Sequence, residues 1–364
     1  MKKKLLLVIS SSILGGAQLY IVHLVEALNK EYEIIVLCPK GYLSEKIISL
    51  DYDTVNVIES EINILMVKKL RHNLNKLYKN INEEIIVNAH LLGSALYMYL
   101  SMPKKLKRRY IVTLHQPILY DGINFIKKLL YPFIIRKLSN QVDEYIAVSE
   151  EIKRSLAQYT SVCCTYITNT VPDIMPKKEI KDITKKDKIQ VGIIGRLTFQ
   201  KNQFCFIDAA KEICKIKTNV EFFIIGDGEL KTKLEEYSEK TKMKEKIKFV
   251  GAVSNPYEWM RQLDILVFSS DFEGIPLTML EAMSIGIPIV STNVGGISQV
   301  ITNGYNGILV KPRNPEQIST AVLSLINDKE KYYFLHKNGI FYMNNKLNYS
   351  DFICSYKRAL EGKI

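Results

Sequence analysis

Two glutamates, Glu273 and Glu281, flank a proline in one of the most apolar stretches of the sequence. Gly274–Pro276 does not suit a helix interior, so a helix is predicted to begin just after Pro276, with Glu273 in the preceding loop and Glu281 one turn inside. The unpaired amides of a first helical turn bind anions, and a carboxylate on either side accepts hydrogen bonds from hydroxyl groups. The stretch therefore suits a nucleotide sugar, although helix capping by Glu273 and solvent exposure of Glu281 would also explain it.

Two cations, Arg196 and Lys201, follow the predicted strand 189–195 in the loop before a helix. An arginine offers a planar fork and a lysine a point charge, a combination suited to two linked phosphates. A surface salt bridge is the alternative interpretation. After the next predicted strand, Gly226 and Gly228 flank an aspartate in a tight turn that lets a base or ribose approach the backbone, and that also occurs as plain turn chemistry.

The first half of the chain carries a second set of candidates. Gly15 and Gly16 follow the first predicted strand and open a helix, which permits close approach of a ligand to the amides there. Their spacing is not G-x-G-x-x-G, so a dinucleotide site is not predicted. His90 and His115 each end a predicted strand, where an imidazole can donate to a phosphate or orient a hydroxyl. We interpret His115 as functional and His90 as a core histidine satisfied by backbone.

The sequence predicts no metal site and no disulfide framework. Asp51 and Asp53 have the D-x-D spacing of some metal sites, but they precede an ordinary strand and are interpreted as a turn. The six cysteines lack the C-x-x-C spacing of a zinc site and are interpreted as reduced, mostly buried thiols of a cytoplasmic protein. No apolar run approaches the length of a membrane-spanning helix, so a soluble protein is expected.

The candidate residues must be positioned by α/β domains. Short apolar strands alternate with helical patterns, and continuous apolar strands indicate a parallel sheet with helices on both faces. At 364 residues and 47% hydrophobic content the chain predicts two such doubly wound, Rossmann-like domains, whose loops surround a shared cleft. The predicted boundaries are residues 1–172 for the first domain, 173–188 for a charged linker, 189–348 for the second domain and 349–364 for a last helix that could pack back on the first domain or close either one.

The net charge of +12 suggests an acidic partner. Much of the charge of the first half lies in Lys68–Arg71, Lys104–Arg109 and Lys127–Lys128. A solvated basic face and docking on an anionic membrane surface are both open. Nucleic acid is not expected, because the basic runs lack interleaved aromatic residues and a recognisable binding module.

Together these motifs resemble the family 4 glycosyltransferases of the GT-B architecture, along most of the chain. Two positions depart from the pattern of that family, because Gln18 stands where many relatives have a glutamate and Gln116 follows His115 where a second histidine is usual. The motifs that carry the resemblance are Gly15-Gly16, the loop ending at His115, Ala147-Val148-Ser149, Asn169-Thr170-Val171-Pro172, Gly195-Arg196 with Lys201-Asn202, Gly226-Asp227-Gly228, and Glu273 with Glu281.

The resemblance implies a retaining transfer of a sugar from a nucleotide donor held mainly by the second domain to an acceptor held mainly by the first. Arg196 and Lys201 would bind the diphosphate, Glu273 the hydroxyls of the transferred sugar and Glu281 the ribose, with His115 near the reacting centre. No covalent nucleophile, cofactor or metal is implied. The implied donor-binding residues are Gly15, Gly16, Gly195, Asn202, Gly226, Gly228, Gly274, Ile275, Pro276, Leu277 and Glu281.

The expected function is therefore a nucleotide-sugar-dependent glycosyltransferase of bacterial surface polysaccharide synthesis. Its acceptor would be a saccharide or a sugar on a lipid pyrophosphate, and the basic first half would suit the inner face of the cell membrane. A nucleotide-sugar epimerase of similar shape and a noncatalytic nucleotide-sugar binding protein are the alternatives. Epimerisation would be expected to need further acid/base residues in the first domain.

Overall fold

The computed structural model divides the chain into two compact units. The first unit combines Met1–Asn169 with Ser350–Ile364, and the second unit is Thr170–Tyr349. The boundary thus falls three residues before the predicted end of the first domain at residue 172. The described residues are 2–78, 83–103, 106–119, 125–172, 177–179, 181–253 and 255–363.

The first unit is built on a parallel sheet of seven strands in the order β3-β2-β1-β4-β5-β6-β7. Its central strands are buried along most of their length because helices cover both faces, which is why they are continuous apolar runs in the sequence. The strands are β1 Lys3–Ile9, β2 Tyr32–Cys38, β3 Val55–Glu59, β4 Ile85–His90, β5 Arg108–Leu114, β6 Glu144–Ala147 and β7 Cys164–Tyr166. The helices are α1 Gly16–Leu28, α2 Tyr42–Ile48, α3 Val67–Leu77, α4 Leu92–Ser101, α5 Phe125–Leu138, α6 Glu150–Ala157 and, at the end of the chain, α14 Tyr349–Glu361.

Helix α14 packs on the first unit, which settles a point that the sequence leaves open. The Tyr356 hydroxyl donates to Asn88 Oδ1 at 2.9 Å, inside the core of the sheet. Near the end of the helix, Lys3 Nζ lies 2.7 Å from Glu361 Oε1, and the Tyr32 hydroxyl donates to the same oxygen at 3.1 Å. These contacts reach β1, β2 and β4, so the last helix completes the first unit.

The second unit repeats the same plan with six parallel strands in the order β10-β9-β8-β11-β12-β13. The predicted fold class of two doubly wound parallel-sheet domains is therefore confirmed. The strands are β8 Ile189–Ile194, β9 Val220–Ile225, β10 Ile247–Gly251, β11 Ile265–Phe268, β12 Ile289–Thr292 and β13 Ile308–Val310. The helices are α7 Gln203–Cys214, α8 Lys231–Lys240, α9 Pro256–Gln262, α10 Leu277–Ile285, α11 Ile297–Val300, α12 Pro315–Asn327 and α13 Lys329–Lys346, with short 3-10 helices at Ile183–Lys185 and Phe199–Lys201. A further 3-10 helix, Ile64–Met66, belongs to the first unit.

In both sheets the winding reverses after the third strand, so β1 neighbours β4 and β8 neighbours β11. Loops that leave the carboxyl ends of such a strand pair diverge, and this is where doubly wound sheets bind ligands. Gly15 and His90 follow β1 and end β4, and Gly195 and Glu273 lie in the loops after β8 and β11. The topology therefore places most of the candidate residues at the two switch points.

The predicted linker is not a separate segment in its described part. Ile183 is fully buried in the hydrophobic core of the second unit. Lys178 and Lys186 point their amines at Asp264, with nitrogen to oxygen distances of 3.3 and 2.7 Å. Asp264 is itself buried and needs compensating charge. Residues 177–179 and 181–188 thus belong to the second unit, whereas the sequence predicted a linker over 173–188.

Among the described residues, no helix combines the length and the apolar character that crossing a bilayer requires. Cys38 and Cys205 are buried as expected, but Cys164 and Cys214 are only partly buried and Cys163 and Cys354 are exposed, so the expectation of mostly buried thiols was wrong.

Candidate functional site

A buried ion pair joins Lys201 and Glu273 in the second unit. Lys201 Nζ lies 2.6 Å from Glu273 Oε1, and the glutamate side chain is only 6% exposed. The Ser270 hydroxyl donates to the same carboxylate at 2.6 Å and the Gln200 amide at 3.3 Å. Three donors therefore fix the orientation of Glu273. It does not cap the following helix, which has Pro276 at its N-cap and no side-chain cap.

Arg196 differs from Lys201 in that its side chain has no partner among the described residues. Its side chain is exposed, and its guanidinium makes no ion pair or hydrogen bond with any residue that the structure describes. Gly195 lies just before it with φ +155°, and a Cβ there would stand 3.3 Å from Lys201 Cε. The loop after β8 therefore carries one cation held by a buried carboxylate and one left available to an anion. Neither is the surface salt bridge that the sequence left open.

Gly226 and Gly228 support this loop by close backbone packing. A Cβ at Gly226 would lie 2.0 Å from the Gly195 carbonyl oxygen, and a Cβ at Gly228 would lie 2.5 Å from the Leu197 carbonyl oxygen. The Leu197 amide donates to the Asp227 carbonyl at 2.9 Å, which ties the two loops together. Both glycines also have positive φ, +139° and +159°. The structure thus gives these two residues a role in shaping the loop that carries the cations.

Asn202 acts on the same loop through its side chain. It has left-handed φ of +46° and accepts a hydrogen bond from the Cys205 amide, which caps α7. Its amide nitrogen donates to Asp271 Oδ1 at 3.0 Å, and the other Asp271 oxygen accepts from Arg313 at 2.8 Å. The Asn202 amide is thus engaged on both sides, so the geometry supports positioning of the loop more than contact with a ligand.

The run of Gly274 and Ile275 leads to an uncapped helix start. Pro276 has an extended backbone (φ −65°, ψ 126°), and α10 begins at Leu277, one residue past the proline. The Met279 amide donates to the Pro276 carbonyl at 3.1 Å. The amides of the first two helical residues, 277 and 278, have no acceptor among the residues that the structure describes. They are the orphan donors that an anion would satisfy.

Glu281 lies in the second turn of α10, where its side chain is partly buried. Burial raises the pKa of its carboxyl from 4.5 to about 7. Within the described parts of the chain, no hydrogen bond or ion pair compensates this carboxylate. A desolvated acid without a partner is costly and typical of a functional site. Glu281 is therefore not the solvated helix residue of the alternative interpretation.

The first unit has its own uncapped helix start. Gly15 has an extended backbone before α1, and no side chain caps the helix. Gly16 has open space where a Cβ would stand. The Gln18 amide donates to the Ser11 carbonyl at 3.0 Å, which fixes the loop from inside. Gln18, at the position where a glutamate is usual in the family, thus has a structural partner of its own.

His115, after β5, is paired with His90 at the end of β4. His90 Nδ1 lies 3.0 Å from His115 Nε2, and the rings stack with centroids 5.3 Å apart. Tyr20 of α1 packs edge-on against His115, with ring centroids 4.9 Å apart. Burial lowers the pKa of His115 to about 3, and burial together with His115 holds the pKa of His90 well below its usual value. Both rings are therefore neutral at physiological pH.

The hydrogen bonds assign the protons of this pair. His90 Nε2 is buried and has no hydrogen-bond partner among the described residues. A buried N–H without an acceptor costs more than an unused lone pair, so the proton of His90 belongs on Nδ1, from which it donates to His115 Nε2. His115 then carries its own proton on Nδ1 and offers an N–H. The expectation that backbone satisfies His90 was wrong, because its partner is His115.

The structure brings Gly195, Lys201 and Glu273 into direct contact and places Arg196 beside them. Gly15, Gly16 and His115 belong to the first unit and are joined there through Tyr20. Sequence reasoning missed the residues that hold these groups, although all except Arg313 are polar or aromatic residues within a few positions of a predicted one. They are Gln200, Ser270, Asp271, Arg313 and Tyr20. Across the described residues, no group of three or more His, Cys, Asp or Glu side chains is arranged to hold a metal ion.

Comparison with known proteins gives relatives for both halves. A glycosyltransferase of Methanocaldococcus jannaschii is 28% identical over 343 residues, 90% of this chain and 89% of the relative. The Campylobacter jejuni enzyme named N-acetylgalactosamine-N,N'-diacetylbacillosaminyl-diphospho-undecaprenol 4-alpha-N-acetylgalactosaminyltransferase is 26% identical over 216 residues, 58% of each chain. The crystal structure of Anabaena HepE in complex with UDP-glucose superposes with a TM-score of 0.83, at 18% identity and 99% coverage of both chains.

Family models agree with these relatives. The model described as Glycosyltransferase Family 4 matches residues 14–172, and the model described as Glycosyl transferases group 1 matches residues 176–340. Solved structures with the same pair of sheets are GT-B glycosyltransferases. Because the two models account for both units, the chain belongs to the family 4 glycosyltransferases and has the GT-B fold.

Proposed function

We propose that this protein transfers a sugar, with retention of anomeric configuration, from a nucleotide diphosphate sugar to a saccharide or lipid-pyrophosphate-linked acceptor in bacterial surface polysaccharide synthesis. The observation that carries the proposal is the buried Lys201–Glu273 pair next to the exposed Arg196, whose guanidinium has no partner in the described part of the chain. The UDP-glucose complex of HepE supports a nucleotide-sugar donor, and the name of the Campylobacter relative supports a polyprenyl-diphosphate-linked acceptor. We place the reaction in the cytoplasm, at the inner face of the membrane.

In this proposal the second unit binds the donor with cations at the diphosphate and a carboxylate at the sugar. The Arg196 guanidinium and the Lys201 amine bind the diphosphate, and the amides of residues 277 and 278 add hydrogen bonds to it. The same cations stabilise the charge that develops on the departing nucleotide. Glu273, one hydrogen bond from Lys201, accepts from hydroxyls of the transferred sugar and so places the carbohydrate beside the phosphates.

Retention is proposed to proceed by front-face displacement. The bond between the anomeric carbon and the phosphate oxygen breaks, the acceptor oxygen bonds to the same face, and the acceptor proton passes to the leaving phosphate oxygen. Glu273 is engaged by an amine, a hydroxyl and an amide, which suits a fixed binding group better than a nucleophile. No resident metal is proposed, since Arg196 and Lys201 supply the charge that the leaving diphosphate needs.

The first unit is proposed to bind the acceptor, and the α1 start at Gly15 and Gly16 is proposed to add amide contacts to the donor. His115 contributes a neutral N–H donor near the reacting centre. With its pKa lowered by burial to about 3, this imidazole stays unprotonated across the physiological range. It is therefore a hydrogen-bonding group in the proposal and not a general acid or base.

The test starts with a thermal-shift panel of nucleoside diphosphates, followed by donor turnover with the best nucleotide. A transferase releases nucleoside diphosphate slowly when only water can accept the sugar. It releases it faster when a lipid-linked or saccharide acceptor is added. An epimerase would instead yield an isomerised sugar without any acceptor. Stabilisation by a nucleotide with no turnover under any acceptor would favour the noncatalytic alternative.

The His90 partner yields a prediction about positioning. The variant His90→Phe keeps a ring in the stack but removes the proton donor to His115 Nε2, which frees the His115 tautomer. We expect kcat to fall about tenfold, the value of one hydrogen bond, with little change in KM for the donor. His90→Asn, whose amide can reproduce the lost donor, should restore most of kcat. Equal loss in both variants would indicate a purely structural role.

Glu281 yields a prediction about pH. If its carboxylate accepts hydrogen bonds from the ribose, nucleotide binding should weaken as pH falls from 8 to 6, because protonation near the pKa of about 7 removes an acceptor. Titration calorimetry should show a loss at least threefold larger for the wild type than for Glu281→Gln, whose remaining pH dependence comes from the nucleotide's own phosphate. A wild-type profile as flat as that of the variant would contradict the ribose assignment.

The same carboxyl has the opposite effect on stability. Its folded-state pKa of about 7 exceeds the unfolded value of 4.5, so the folded state loses stability as pH rises through this window. Glu281→Gln is therefore expected to be more stable than the wild type at pH 8, on the order of 2 kcal/mol, and about equal at pH 4.5. Denaturant unfolding of both proteins at pH 8 and at pH 4.5 measures this difference in stability and its sign.

A further inference from the structure

We propose that the outward face of α5 is a docking surface for an anionic lipid bilayer. The inference rests on the proposed function in one respect, since a lipid-linked acceptor requires the enzyme to work at a membrane. It goes further by naming the element that makes the contact.

The first observation is a stripe of exposed apolar side chains. Phe125, Leu129 and Phe133 recur every fourth residue and are 77%, 70% and 66% exposed. Residues with this spacing lie on one face of a helix. Ile126 and Leu130 extend the stripe at 64% and 47% exposed.

The opposite face of α5 packs against the first unit near the end of the helix. Ile135 and Leu138 are fully buried and attach the helix to the first unit. A helix that only covers a sheet normally has a polar outer face. Helix α5 exposes a row of apolar side chains in addition to the two that it buries, so its outer stripe needs a different explanation.

The second observation is the charge around the stripe. Four cations on α5 are exposed, Lys127, Lys128, Arg136 and Lys137, and the helix contains no acidic residue. None of the four forms an ion pair with a residue that the structure describes, whereas Lys4 and Lys357 elsewhere on the first unit do. Apolar side chains beside uncompensated cations are typical of helices that lie in the interface of an anionic membrane.

A second copy of the chain fits this face less well. Two α5 helices packed face to face would bring eight exposed cations together without one acidic group on either helix. The length of α5, 14 residues, is too short to cross a bilayer but sufficient to lie flat on one. The occupant that complements both the apolar stripe and the charge is an anionic lipid surface.

Neighbouring elements carry the same combination. Helix α5 packs on α4, and α4 packs on α3. The 3-10 helix before α3 exposes Ile64 at 61% and Leu65 at 87%. Lys68 and Lys69 follow in the first turn of α3 and are exposed. This second group gives the surface a further apolar and basic contact on the same layer of helices.

The experiment is flotation of the full chain with vesicles of phosphatidylcholine alone or with 30% phosphatidylglycerol. The wild type should float with the anionic vesicles and much less with the neutral ones. The double variant Leu129→Glu, Phe133→Glu should reduce the floated fraction at least tenfold. The matched control Ile216→Glu replaces an apolar residue of the second unit that is 66% exposed, and it should float like the wild type.

The other outcomes separate this inference from the proposed function. Donor turnover with a water-soluble saccharide acceptor should be equal in the wild type and the double variant, since Leu129 and Phe133 are exposed and neither is among the proposed donor-binding residues. Turnover without flotation overturns the docking surface and leaves the transferase in place. Flotation without turnover would support the docking surface and contradict the proposed transferase activity. A wild-type dimer in light scattering that the double variant abolishes, without any flotation, would assign the face to a second copy instead.

Discussion

Replacing Lys201 by alanine is expected to lower kcat/KM by about 1,000-fold and to weaken binding of the nucleoside diphosphate as well. Two losses combine in this variant. The diphosphate loses one of its two cations, and Glu273 keeps a buried negative charge without the amine that lies 2.6 Å from it. Steady-state turnover and calorimetry with the best nucleotide of the panel measure the two effects separately.

Glu273→Ala is the companion variant that distinguishes the two roles. Because Glu273 is assigned to the sugar and not to the phosphates, turnover should fall far more than nucleotide affinity. The double variant Lys201→Met, Glu273→Gln should lose less than the sum of the single losses, since neither partner is then left as an unpaired buried charge. Lys211→Ala, on α7, is the control for removing a positive charge. Near-normal turnover in Lys201→Ala would remove the basis of the proposed mechanism.

Gly226→Ala is expected to destabilise the second unit by about 3–5 kcal/mol and to abolish nucleotide binding at ordinary concentrations. The added Cβ would stand 2.0 Å from the Gly195 carbonyl oxygen, which is backbone and cannot rotate away. The loop that carries Arg196 would therefore have to move. Denaturant unfolding and the thermal-shift response to nucleotide measure the two consequences.

Gly304→Ala is a matched control for backbone conformation. Gly304 also has positive φ, +76°, but a Cβ there has nothing within 4 Å. The Gly304→Ala variant should lose only about 1 kcal/mol of the free energy of unfolding, the penalty of the left-handed conformation. Its nucleotide binding should be unchanged. If both alanine variants behave alike, close packing of the two loops is not what Gly226 provides.

Features with a local cause could be predicted from the sequence. The strands are legible because burial on both faces makes them continuous apolar runs, and the start of α10 after Pro276 follows from proline and glycine chemistry. In each doubly wound sheet, the ligand site is then expected where the strand order reverses, beside β1 and β4 and beside β8 and β11. Seven helices were not predicted, namely α2, α4, α5, α6, α11, α12 and α13. Helices α4 and α5 lack a simple alternation of apolar and polar faces, and α2, α6 and α11 are short.

Features with a distant partner could not be predicted. His90 and His115 stand at the ends of the neighbouring strands β4 and β5, and the residues next to them in the sequence give no sign that the two rings meet. The segment 177–188 looks like a linker because its charges are conspicuous, yet Lys178 and Lys186 neutralise Asp264, which lies far along the chain. Ile183 is a single buried contact and leaves no periodic pattern. In each case the decisive interaction joins residues that only the folded chain brings together.

The return of the chain to the first unit has a consequence for biosynthesis. Because residues 350–364 complete a unit that begins at the N-terminus, a ribosome must finish the whole of the intervening unit before that sheet can receive its final helix. Until then the pocket for Tyr356 beside Asn88 stays open to water and to chaperones. Nascent chains from which residues up to 349 have emerged, but residues 350–364 have not, should therefore hold a mature second unit and an unfinished first one.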